Sequence, residues 1–112
     1  MMNAKDFYET WPSMMGNVKG EAPNVAKGFG MMYKELMGEG KLSLREKELI
    51  AVGISMAIRC EPCLLAHVEK AAGAGVTREE FMELAGVVVT MQGGPGYVHV
   101  PALIEALDAL EV

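Results

Sequence analysis

Leu42–His67 reads LSLREKELIAVGISMAIRCEPCLLAH, and the fold turns on how this stretch divides. Ser43-x-x-Glu46 is the pattern in which a serine and a glutamate three residues on cap each other's free backbone N–H groups at a helix start. From Leu49 to Ile58 the chain is apolar nearly all round, as a helix buried on several sides is. That run is too short to span a bilayer, and it stops at Arg59. The dipeptide Glu61-Pro62 then opens a second helix, with proline in the first turn, where a missing N–H leaves no bond unmade. The stretch is therefore two helices broken at Cys60, and the break holds both cysteines of the chain, Cys60 and Cys63.

Outward from this pair, helical signals continue and no strand alternation competes with them. Upstream, AKDFYETW predicts a short helix stopped near Pro12. The segment from Ala22 to Gly40 predicts another, with Pro23 in its first turn, an apolar side of Val25, Phe29, Met32, Leu36 and Met37, and Gly38 and Gly40 at its end. Downstream, the helix carrying Cys63 ends near Gly73–Gly75. Thr77-x-x-Glu80 repeats the capping pattern, and the spacing Phe81, Leu84, Ala85, Val88 makes the following segment a helix despite its Val87–Val89 run. Gly93–Gly96 breaks the chain, and a last helix covers most of Val98–Leu110 with Pro101 at its start or as a kink. This is an all-α pattern of five to six helices in a single domain over residues 1–112.

With 112 residues, 51% of them hydrophobic, and a mean hydropathy of +0.19, the chain is apolar for its size. A small chain buries only part of its surface, so the excess, together with ten methionines, points to a homo-oligomer. A net charge of −5 and the lack of a basic run argue against nucleic acid. The start MMNAKDFYET lacks the apolar core of a signal peptide. The expected protein is soluble and cytoplasmic, with no membrane partner.

In a reducing compartment two cysteines favour redox or metal chemistry over a structural staple. Pro62 turns the chain sharply enough to allow a small disulfide ring, with Cys60 just before the helix and Cys63 in its first turn. The N–H groups of a helix start favour thiolate over thiol. His67 lies four residues beyond Cys63, on the same face, where an imidazole can take the thiol proton. Zinc is the rival reading, and would need Cys60, Cys63, His67 and His99 together. From composition Glu48 reads as part of a solvated first turn, like Arg45, Glu46 and Lys47 beside it. His99 reads as an ordinary histidine, Trp11 as an anchor of the N-terminal segment, and the methionine pairs Met14-Met15 and Met31-Met32 as packing. Gly93–Gly96 lacks the lysine and hydroxyl of a phosphate loop.

The stretch EKELIAVGISMAIRCEPCLLAHVEKAAGAGVTREEFMEL (Glu46–Leu84), with the later GGPG and terminal helix, resembles the carboxymuconolactone decarboxylase and alkylhydroperoxidase D superfamily. The matching pattern is Glu48, then Cys60-x-x-Cys63-x-x-x-His67, twelve positions on. The similarity covers residues 20–110. It implies an all-helical fold in which a two-helix unit carries the dithiol, and assembly into trimers or hexamers. It implies a thiol-dependent peroxidase or disulfide oxidoreductase, acting on a peroxide or protein disulfide and restored by a thiol reductant. Cys60 and Cys63 would cycle between dithiol and disulfide, and Glu48 with His67 would relay protons, with no metal, flavin or haem. Alkylhydroperoxidase D carries a further histidine where this chain has Pro62, a departure that bears on thiol activation. Two alternatives remain. One is a decarboxylase or lactone-processing enzyme using His67 and Glu48, since the superfamily's decarboxylases do not rely on such a CxxC. The other is a non-catalytic redox or metal-binding oligomer.

Overall fold

The computed structural model describes residues 2–112, and these form only helices and their connections. In chain order they are α1 (Ala4–Glu21), α2 (Pro23–Met37), α3 (Leu44–Ala57), α4 (Glu61–Gly73), α5 (Arg78–Gln92), α6 (Gly94–Tyr97) and α7 (Val100–Ala109). Six are of ten residues or more, and α6 is a single turn. No described helix is long and apolar enough to cross a membrane.

The two serine/threonine caps form as their spacing predicts. Ser43 accepts from the N–H of Glu46 and Thr77 from that of Glu80, and each glutamate side chain accepts from its cap residue's N–H in return. Arg45 pairs with Glu80, tying the first turn of α3 to that of α5. This guanidinium and the Thr77 backbone bond lower the Glu80 pKa to about 2.

Between α3 and α4 the chain reverses within Ile58–Cys60. Arg59 adopts φ +58°, its N–H reaches the carbonyl of Met56 (3.2 Å), and the N–H of Cys60 reaches that of Ser55 (3.1 Å). These two bonds close a helix end through a left-handed residue, a position usually taken by glycine. The same turn makes Cys60 the N-cap of α4.

The core runs through the bodies of five helices. Phe7 of α1, Val52 and Met56 of α3, Leu64 and Val68 of α4, Phe81 and Val88 of α5, and Leu103 and Leu107 of α7 are buried together. α3 and α4 pack most extensively on each other. The Val87–Val89 segment is helical, with only Val88 turned into the core. Pro101 lies in the first turn of α7 and does not kink it. Gly93, at φ +69°, makes the break before α6. Gly96 lets α6 approach α5, since a Cβ there would lie 3.1 Å from the Val88 carbonyl oxygen.

One expectation needs correction. The first helix does not stop at Pro12, but runs on to Glu21. Pro12 is exposed to solvent, and the carbonyl of Tyr8 one turn earlier is the one that loses its helical partner. Phe7 and Trp11, stacked at 4.7 Å between ring centroids, hold the turn just before it. α2 forms where expected and contributes no buried residue. Val25, Phe29, Met32 and Leu36 project into solvent, while Tyr33, Ala26 and Met37 take the half-buried side. Met14, Met15 and Met31 are exposed as well, so within one chain the methionine pairs do not fill the core.

Candidate active site

The break between α3 and α4 brings the two cysteines together as a disulfide, Cys60–Cys63, with Cα atoms 5.2 Å apart. Cys60 precedes α4 and its sulfur accepts from the N–H of Cys63 at 3.3 Å. Cys63 is in the first turn, with Pro62 beside it. The sulfurs therefore sit at the helix end where N–H groups are unpaired and the helix dipole is positive.

One turn beyond Cys63, His67 is half-buried and meets Glu48 of α3: its Nδ1 lies 2.7 Å from Glu48 Oε2. Glu48 is 2% exposed, not part of a solvated first turn. The helix arithmetic explains the difference. Arg45, Glu46 and Lys47 occupy the open sides of the first turn, while Glu48 falls on the face that continues to Val52, Ser55 and Met56, all buried. A carboxylate there accepts without donating, so the ring N–H that meets it is the one on Nδ1, and Nε2 is left free of Glu48. All four residues matched by the sequence pattern thus converge on the α3–α4 pair.

The other carboxylate oxygen has a partner that sequence reading missed. Tyr33 of α2 donates its hydroxyl to Glu48 Oε1. Its ring lies 6.2 Å from that of His67, stacked with an interplanar angle of 25°, and Lys70 Nζ sits 4.1 Å from its centroid. Burial first, and then the bond to Glu48 and its charge, push the Tyr33 pKa well above the ordinary phenol value. The Tyr33 hydroxyl therefore keeps its proton and serves as a hydrogen-bond donor. Nothing in its sequence setting marks it, since it shares the half-buried side of α2 with Ala26 and Met37.

These residues line an open cleft of about 300 Å³ formed by Trp11, Met15, Phe29, Tyr33, Pro62, Cys63, Ala66, His67 and Lys70. Its walls are mostly apolar and its one fixed cation is Lys70. Cys63 faces the cleft, whereas Cys60 does not line it. His99 is elsewhere, half-buried at the start of α7. Among the described residues no three of His, Cys, Asp and Glu are grouped so as to hold a metal ion, so Cys60, Cys63, His67 and His99 do not form the four-ligand set that zinc would need.

The model of the carboxymuconolactone decarboxylase family matches residues 23–110. A protein of that family from Legionella pneumophila has a solved structure that superposes with a TM-score of 0.83, at 29% sequence identity, covering 96% of this chain and 94% of that one. A second, from Thermotoga maritima, gives a TM-score of 0.79 at 24% identity, covering 95% and 90%; this likeness is one of fold. Among curated proteins, an uncharacterized protein of Cupriavidus necator is 32% identical over 88 residues, 79% of this chain and 78% of its own length.

Proposed function

This chain belongs to the carboxymuconolactone decarboxylase family, and from that premise we propose that it is a thiol-dependent peroxidase or disulfide oxidoreductase of the alkylhydroperoxidase type. One observation carries the reading: a disulfide at the start of α4 shares its helix with a histidine whose Nδ1 is held by a buried carboxylate. Decarboxylation by His67 and Glu48 alone would leave that disulfide without a role.

In the reduced protein His67 Nε2 takes the Cys63 proton, and the Glu48 carboxylate stabilises the imidazolium that results. The Cys63 thiolate attacks the terminal oxygen of a hydroperoxide. The O–O bond breaks, Cys63 becomes a sulfenic acid, and the alcohol leaves with the proton returned from His67. The Cys60 thiol then attacks the Cys63 sulfur and expels water, forming the disulfide. An external dithiol supplies the two electrons and two protons that restore both cysteines. Cys63 is assigned the attack because it faces the cleft with His67. Cys60 is assigned the resolving role, with the Cys63 N–H beside its sulfur. No metal, flavin or haem enters the cycle.

The test is stoichiometry. Reduced protein treated with one equivalent of cumene hydroperoxide is expected to lose two titratable thiols and release one equivalent of cumyl alcohol, and a small dithiol should regenerate both thiols. Peroxide that survives beside unchanged thiols rules the reading out.

The same proposal includes assembly into a homo-oligomer, a trimer or hexamer. It is supported by Phe29 at 58%, Leu36 at 65% and Met91 at 80% exposure, and by a groove between α3 and α5 walled by Ile50, Ile54, Leu84, Val87 and Met91. Exposed apolar area of this extent marks an interaction surface. Sedimentation equilibrium is expected to give three or six times the chain mass of 12.1 kDa; a monomer at micromolar concentration contradicts it.

A further inference from the structure

The relay proposed above ends at Glu48, yet the structure continues it by one residue. Glu48 is buried, and its two oxygens have separate duties: Oε2 holds His67 and Oε1 accepts from Tyr33. A buried carboxylate oxygen without a donor loses the interaction that keeps it charged and in place. Of the side chains lining this cleft and the adjoining one, those that titrate or carry charge are Tyr33 from α2, Glu48 from α3, and Cys63, His67 and Lys70 from α4, with α1 contributing only Trp11 and Met15. Lys70 is directed at the Tyr33 ring, so Tyr33 is the neutral donor to Oε1 and Lys70 is not its substitute.

We propose that Tyr33 is a positioning residue for the dithiol: its hydroxyl holds the Glu48 carboxylate in the rotamer that binds His67 Nδ1, and so keeps Nε2 aimed at the Cys63 side of the cleft. Tyr33 touches neither sulfur. The inference rests on the relay reading, and it adds that α2, a helix outside the α3–α4 unit, is required for thiol activation.

The test uses the reduced full chain carrying Cys60→Ser, so that Cys63 is the one thiol, and follows its alkylation by iodoacetamide against pH. Tyr33→Phe is expected to slow alkylation about tenfold at pH 7, the order of effect for one lost hydrogen bond to a charged group, and to move the rate–pH profile to higher pH. Glu48→Gln should move it in the same direction and further. A profile shifted by Glu48→Gln but unchanged by Tyr33→Phe overturns the role of Tyr33 and leaves the relay standing. A profile unchanged by both removes the relay, and this inference with it. A loss of helix packing alone would lower the unfolding temperature without moving the profile, and that result also counts against the proposal. In the wild type, the Tyr33 hydroxyl proton should give a slowly exchanging low-field NMR signal that is lost in Glu48→Gln. Its absence from the folded wild type overturns the inference whatever the variant does.

Discussion

Cys63→Ser is expected to lower kcat/KM for an organic hydroperoxide by at least about a thousandfold, the loss typical of removing a nucleophile. Serine keeps the size of the side chain and the position one turn before His67, so the fold is not at stake: Cys63 is half-buried and outside the core. What is lost is the thiolate. A serine hydroxyl is far too weak an acid to be ionised by a histidine at neutral pH, and an alcohol does not accept oxygen from a peroxide. Cys60→Ser should behave differently. Its first turnover survives, leaving a Cys63 sulfenic acid that a dimedone-type trap labels, but the disulfide cannot close and the enzyme stalls. Trapped label in Cys63→Ser with none in Cys60→Ser would exchange the two roles. Undiminished hydroperoxide reduction in both would move the chemistry off the cysteines and overturn the dithiol reading.

Glu48→Gln is the second large effect, a fall in kcat/KM of about a hundredfold to a thousandfold at pH 7, within the range that general acid–base groups supply. The amide nearly matches the carboxylate in shape and can still accept from His67 Nδ1–H. Its carbonyl cannot stabilise an imidazolium as a carboxylate does, and its NH₂ placed toward Tyr33 meets a hydroxyl that was a donor. The loss should fall on kcat with KM within about twofold, because Glu48 is buried behind His67 and does not line the cleft. Steady-state kinetics with a saturating dithiol reductant measure this directly. Activity within threefold of wild type would show that the Glu48–His67 contact is structural.

The two-helix unit was legible in the sequence because each of its boundaries has a local chemical cause. Ser43 and Glu46 cap α3, Pro62 starts α4, and Thr77 with Glu80 starts α5, all within three or four residues. Glu48 was legible only through the family pattern, since its burial depends on which side of α3 meets α4, a matter of tertiary packing. Tyr33 was not legible at all: its partner is fifteen residues away on another helix, and a tyrosine on a methionine-rich helix carries no spacing signature. The length of α1 was misread for the opposite reason. A proline rule that holds for an isolated helix gives way when the preceding turn is stacked in place by aromatic packing. The apolar side of α2 was read correctly as a pattern, but periodicity reports that a face is apolar and not what covers it.

That uncovered helix gives the protein two thermal thresholds. α2 carries Tyr33 but places no side chain in the core, so it can detach at a free-energy cost well below that of global unfolding. The α3–α4 pair and its disulfide would persist through such an opening, since neither needs α2 for its own packing, while Glu48 would lose the Tyr33 donor that holds it toward His67. Catalytic competence would then be lost on warming while most of the helix signal remains. Whatever settles against Val25, Phe29, Met32 and Leu36 would raise the lower threshold toward the upper one and leave the upper one nearly where it was.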